Sequence, residues 1–173
     1  MADSTGVVVL FGPKAVGKST IATLLEEHGG VHHVDPDLVV RALLAAGTEP
    51  HADTGWLDAV QREVLEELVH HRWVAVEATG AWQSDWVLAE RLGVHVRVVR
   101  VWVTASLPTT LRRMASRQPP RVACTEQEAR WIHAAATRRA AQQRVHAVVD
   151  TELVVPLPAA RRVLGLLTAP EAP

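Results

Sequence analysis

Along the chain, short runs of apolar residues alternate with longer stretches in which apolar positions recur every three or four residues. Val7–Phe11 is unbroken and apolar, as expected of a strand buried on both faces. Val31–Val34, Trp73–Val76, His95–Val103 and Val145–Val149 read as four further strands. Helical patterns cover Lys18–His28, Leu38–Ala46, Leu57–His71, Ser84–Leu92, Leu107–Ser116, Glu126–Gln143 and Pro158–Leu167. The third of these carries apolar residues at Leu57, Val60, Val64, Leu65, Leu68 and Val69, the spacing of one helix face. Gly29-Gly30, Gly47 and Gly93 stop their helices, Ser84 stands where an N-cap would, and Gln118-Pro119-Pro120 breaks the chain. His51–Gly55 reads as a loop that also holds Trp56 at its end, and residues 168–173 as a frayed tail.

Strand–helix alternation with Val-rich strands predicts an α/β fold, a five-stranded parallel sheet covered by helices on both faces. Ligands of such sheets collect beyond the carboxyl ends of the strands. Asp35, Glu77, Thr104 and Asp150 fall at or near those ends and are expected to share one rim.

Composition narrows the picture. The 173 residues suit a single domain, 1–173, with a proper core. A net charge of −1 gives no field for nucleic acid or an anionic membrane. The apolar runs are too short to span a bilayer and no signal-peptide pattern precedes them. One cysteine, Cys124, fits a cytoplasmic location. Of the 18 Lys and Arg residues, Lys14 and Lys18 are the only lysines, and both lie in one nine-residue stretch. Lys18, kept where other cations are arginine, suggests a site that needs a slim ammonium rather than a forked guanidinium.

That stretch is Gly12, Pro13, Lys14, Ala15, Val16, Gly17, Lys18, Ser19 and Thr20, directly after a strand and directly before a helix. Gly12, Gly17, Lys18 and Ser19 match the phosphate-loop pattern G-x-x-x-x-G-K-S/T. The glycines allow backbone N–H groups to form an anion nest, and the following helix points its positive end at the same place. Lys18 is placed to reach the β- and γ-phosphates and Ser19 to ligate Mg²⁺. The expected ligands are therefore ATP and Mg²⁺, in a three-layer α/β/α P-loop NTPase fold.

The phosphate loop, "VDPD", "TGAW", "LRRMASR", a Pro/Arg break and "VVDT", in this order, resemble the small P-loop kinases. These are the shikimate kinase, gluconate kinase and chloramphenicol phosphotransferase type, and more remotely adenylate kinase; the resemblance covers roughly residues 6 to 155. It implies a short mobile lid over about 117–130 and transfer of the γ-phosphate of ATP to a hydroxyl of a small molecule. It also implies Asp35 on the metal, directly or through water, and Asp37 as acceptor of the hydroxyl proton. Asp-Pro-Asp is equally a helix N-cap, and one aspartate can cap while the other works. Glu77 is the alternative acid on the metal side. By the same resemblance Arg117 sits at the ATP phosphates and Arg121 acts as an arginine finger, with Arg113 a further possibility. Thr151 lies near adenine, and Thr79, Gly80 and Arg138 face the acceptor.

Six tryptophans against one Phe and no Tyr make the aromatic set unusual. Trp73, Trp102 and Trp131 are expected in the core or between helices. Trp56 and Trp82 are candidates to line the acceptor pocket, because flat indoles suit a ring. Arg41, one turn after Asp37, and more weakly Arg62, could bind a polar group there. The nine histidines show no H-x₃-H on one face and no Cys partner, so no zinc site is expected. The rival readings are a nucleoside monophosphate kinase, a polynucleotide kinase, which the near-neutral charge disfavours, and a nucleotide-gated switch.

Overall fold

The computed structural model describes residues 5–47, 55–116 and 124–169. Five strands form one all-parallel sheet in the order β2-β3-β1-β4-β5. They are β1 (Gly6–Phe11), β2 (His32–Val34), β3 (Trp73–Ala78), β4 (Arg97–Thr104) and β5 (Ala147–Asp150). Seven helices appear among the described residues: α1 (Lys18–Gly29), α2 (Pro36–Ala45), α3 (Gly55–Glu67), α4 (Gln83–Gly93), α5 (Leu107–Ala115), α6 (Glu126–Ala140) and α7 (Pro156–Thr168).

The alternation of side chains along β1 builds the three layers. Val7, Val9 and Phe11 pack on one face with Leu57, Val60 and Val64 of α3, Trp86 and Leu92 of α4 and Ile132 of α6. Val8 and Leu10 face the other way, onto Ile21 and Leu25 of α1 and Val163 and Leu167 of α7. Every residue of β1 is buried, and each large side chain contributes about 1.5–3 kcal/mol relative to exposure. The largest buried aromatic contact stacks Phe11 on Trp86, ring centroids 3.9 Å apart.

Several boundaries differ from expectation, each for a local reason. The helix expected from Leu38 starts at Pro36, because Asp35 accepts a hydrogen bond from the Asp37 amide and Pro36 suits the first turn. Ser84 does not cap α4; Trp82 holds the N-cap position, and Asp85, three residues on, accepts from its backbone N–H at 3.4 Å. Trp56 lies inside α3 rather than in a loop and packs, half-buried, against the core. Trp131, expected in the core or between helices, is 47% exposed and packs on Trp82 at the start of α4. Of the expected lid, 117–123 lie outside the described residues, and Thr125 already caps α6 through the Glu128 amide. The proposed tail begins one residue early, since Thr168 closes α7, and 170–173 lie outside the described residues.

Candidate active site

The rim is built by register. Leu10 pairs with Glu77 and Thr104 with Asp150, while Val34 pairs with Val76, so Asp35 follows level with Glu77. All four expected residues therefore stand at the carboxyl edge of the sheet.

Between β1 and α1 the chain folds into a tight cradle. Gly12 is required by space: a Cβ there would lie 2.1 Å from the Val103 carbonyl oxygen. Gly17, the N-cap of α1, has φ 103°, a left-handed conformation that favours glycine, and Ala15 takes φ 59°. No side chain caps α1, whereas Asp35, Ser106 and Thr125 cap α2, α5 and α6, and the first turn of α1 holds no acid, unlike those of α2 and α6. The positive end of α1 is thus left to an anion. Lys18 is buried and its Nζ donates to the carbonyls of Gly12, at 2.7 Å, and Pro13, at 2.9 Å. Ala15 and Val16 are buried, Lys14 is half-buried and Thr20 is exposed.

Ser19 Oγ donates to Glu77 Oε2 at 3.1 Å. The second oxygen, Oε1, lies 3.1 Å from His33 Nε2, close but without hydrogen-bond alignment, so it is a buried carboxylate oxygen without an aligned partner. Burial alone pushes the Glu77 pKa up; the His33 contact, the Lys18 charge and the Ser19 hydroxyl outweigh it and hold the carboxyl below its ordinary range. A hydroxyl beside an ionised carboxylate is a hard-oxygen pair of the kind Mg²⁺ prefers. Glu77, not Asp35, is the acid in contact with Ser19. The Oδ1 of Asp35 is taken by the Asp37 amide.

The cradle is tied from behind. Thr151 donates its hydroxyl to the carbonyls of Val16, at 2.7 Å, and Thr104, at 3.2 Å. Arg113 donates to Thr151 Oγ1 at 2.8 Å and to its carbonyl at 3.1 Å. Glu152 in turn accepts from the Ser106 amide at 2.6 Å and from the Ser106 and Thr109 hydroxyls, fixing the start of α5. Thr151, expected near adenine, braces the phosphate loop itself.

The turn after β3 holds Thr79 and Gly80, the two residues expected to face the acceptor, in its own hydrogen bonds. Thr79 donates its hydroxyl to the buried Asp85 at 2.6 Å and accepts from the Ala81 amide, so it serves the turn. Gly80 is buried, and its carbonyl accepts from Trp86 Nε1 at 3.0 Å. Burial raises the Asp85 pKa, and the Thr79 and backbone hydrogen bonds only partly offset this. Asp85 was invisible in the sequence, where an acid in a first helical turn reads as a solvated dipole partner. Its one signal is the three-residue spacing from Trp82, the N-cap of α4. Arg138 is exposed; Arg139 instead donates to the Ala81 carbonyl at 2.8 Å and to Gln83 at 3.1 Å. Trp82, 48% exposed, packs on Trp131 with ring centroids 4.6 Å apart.

Asp37, Arg41 and Arg62 are exposed. Arg117 and Arg121 lie outside the described residues.

The family model described as an AAA domain matches residues 7–142, from β1 into the residues after α6. The chain belongs to this family. The cytidylate kinase of Burkholderia thailandensis is 27% identical over 116 residues, 67% of this chain and 51% of that protein. The chain thus spans about half the length of the curated relatives it matches. Among solved structures, the shikimate kinase of Acinetobacter baumannii in complex with shikimate aligns at TM-score 0.65 and 16% identity, over 95% of this chain and 94% of that one. The gluconokinase of Sinorhizobium meliloti aligns at 0.63 and 19%, over 94% and 95%. The APS kinase of Mycobacterium tuberculosis, in complex with AMPPNP and APS, aligns at 0.62 and 17%, over 96% and 99%. The fold is that of the small P-loop kinases.

Proposed function

We propose that this AAA-family domain is an ATP-dependent phosphotransferase that moves the γ-phosphate of ATP to a hydroxyl of a small acceptor. The observation that carries this reading is the Ser19–Glu77 pair at 3.1 Å beside a buried Lys18. Backbone N–H groups of the loop and the free end of α1 hold the polyphosphate, and Lys18 leaves its carbonyl partners to meet the β- and γ-phosphates. Ser19 and Glu77 would hold Mg²⁺, which neutralises phosphate charge when bound. Thr151 and Arg113 keep the loop shaped for that ligand. Asp37, exposed on the first turn of α2, accepts the proton of the attacking hydroxyl, and Asp35 orients that turn. Arg117 and Arg121 neutralise charge on the transferred group, and Trp82, Trp56 and Arg41 flank the acceptor.

The cytidylate kinase relatives favour a second reading, in which the acceptor is a nucleoside monophosphate. Coupled ADP release with MgATP separates the two. We expect turnover with hydroxyl compounds, sugars and cyclitol acids among them. Turnover confined to nucleoside monophosphates would establish the second reading, and ADP release indifferent to any acceptor would refute both.

A further inference from the structure

At the opposite side of β2 from the His33–Glu77 contact, His32 meets two side chains, Glu67 and His71, that lie four residues apart around the turn after α3. His32 opens β2, Glu67 ends α3, and His71 precedes β3. One ligand atom from each lies within 4.8 Å of the others. His32 Nε2 is 3.5 Å and His71 Nε2 3.4 Å from the same oxygen, Glu67 Oε2.

We propose that His32, Glu67 and His71 form a binding site for a divalent transition metal ion, Zn²⁺ foremost. The ligand set is two imidazoles and one carboxylate, a combination that binds zinc and leaves a fourth position for water. The two imidazole-to-carboxylate edges fit as well: metal bonds of about 2.1 Å at tetrahedral angles put neighbouring ligand atoms about 3.4 Å apart. A further carboxylate completes the arrangement, since Glu26 Oε1 lies 3.3 Å from His32 Nδ1. A carboxylate on the far nitrogen fixes the tautomer that presents Nε2 to a metal and raises its basicity. The two rings are stacked with centroids 4.3 Å apart and 11° between planes, so one must rotate to bring both lone pairs onto one ion. His71, with 38% of its side chain exposed, has room to do so.

The ligands come from the strand after α1 and from both sides of the turn that follows α3, a grouping that no local His spacing reveals. An ion here clamps the edge strand β2 to the α3–β3 connection. His32 is the neighbour of His33 on that strand, and Asp35 follows three residues on. The clamp therefore fixes the segment that carries the two residues to the active rim.

The test is calorimetric titration of ZnCl₂ into the metal-stripped full chain, with excess Mg²⁺ to occupy the phosphate site. Binding of one ion per chain is expected, weakened at least tenfold by His71→Ala or Glu67→Gln and unaffected by Glu77→Gln. Glu26→Gln, at an exposed position, should weaken it by about 10–100-fold, the usual cost of an outer partner. Unfolding temperatures in chelator report whether each variant folds. A Co²⁺-loaded chain should show the strong visible absorption of a four-coordinate ion, lost in the same variants. No binding, binding insensitive to the His71 and Glu67 changes, or binding lost only in Glu77→Gln would each overturn the proposal.

Discussion

The two sides of the cleft are built differently. On the nucleotide side, β1 is buried at every residue and the loop is fixed from three directions. The Gly12 amide donates to the Ala78 carbonyl at 3.1 Å, Thr151 holds Val16, and Arg113 holds Thr151. On the side where we propose the acceptor binds, α2 has no buried residue; Leu38 is 59% and Leu44 53% exposed. A preformed phosphate cradle spends little ordering entropy on its ligand. An element with few buried contacts is drawn from the less stable part of a fold, where substrate-dependent motion belongs. Under the proposed function, recognition of the triphosphate would rest on backbone geometry, and recognition of the acceptor on side chains of a loosely seated helix.

That contrast can be broken at several points. Asp37→Asn on α2 should lower kcat by about 10²–10⁴ while leaving ATP affinity unchanged; an unaltered kcat would reduce Asp37 to a residue of the helix start. Gly12→Ala forces a methyl group against the Val103 carbonyl, a clash costing about 1–3 kcal/mol. At roughly 2–4 °C per kcal/mol for a chain of this size, calorimetry should show a clear fall in Tm. An unchanged Tm would mean the cradle is not rigid. Arg113→Ala should weaken MgATP binding by a smaller factor, of order tenfold if losing its hydrogen bonds to Thr151 costs the bound loop about 1.5 kcal/mol, with kcat at saturation maintained. The reverse pattern would place Arg113 at the transferred phosphoryl group.

The smallest effect is on pH dependence. Folding lowers the Glu77 pKa, so its stabilising contribution is present above the ordinary carboxylate range and is lost as pH falls through the lowered folded value. Asp85 has the opposite sign: folding raises its pKa, so its cost is present at neutral pH and shrinks on acidification. In urea unfolding from neutral to acidic pH, Glu77→Gln should flatten the acid loss of stability and Asp85→Asn should steepen it. Identical pH profiles for both variants would contradict these assignments.

The sheet was legible because its central strands β1 and β3 are mostly buried and read as apolar runs, and the phosphate loop because its spacing is set by backbone sterics. Contacts made across the sheet were not. Glu77 could be placed on the rim by its strand position, but its pairing with Ser19 and His33 depends on register between strands. The family resemblance put Thr79 and Arg138 at the acceptor, and nothing in the sequence shows that Thr79 is drawn to Asp85 or that Arg139 reaches the Ala81 carbonyl. Glu67 and His71 are near neighbours in sequence, but the arrival of His32 beside them is a product of tertiary structure.

The most direct test of the account is transfer of labelled γ-phosphate from MgATP to the acceptors that the ADP-release screen identifies, compared between the wild-type chain and Lys18→Ala. The account predicts labelled product from the wild type and none above background from a folded Lys18→Ala variant. Comparable product from both would contradict it.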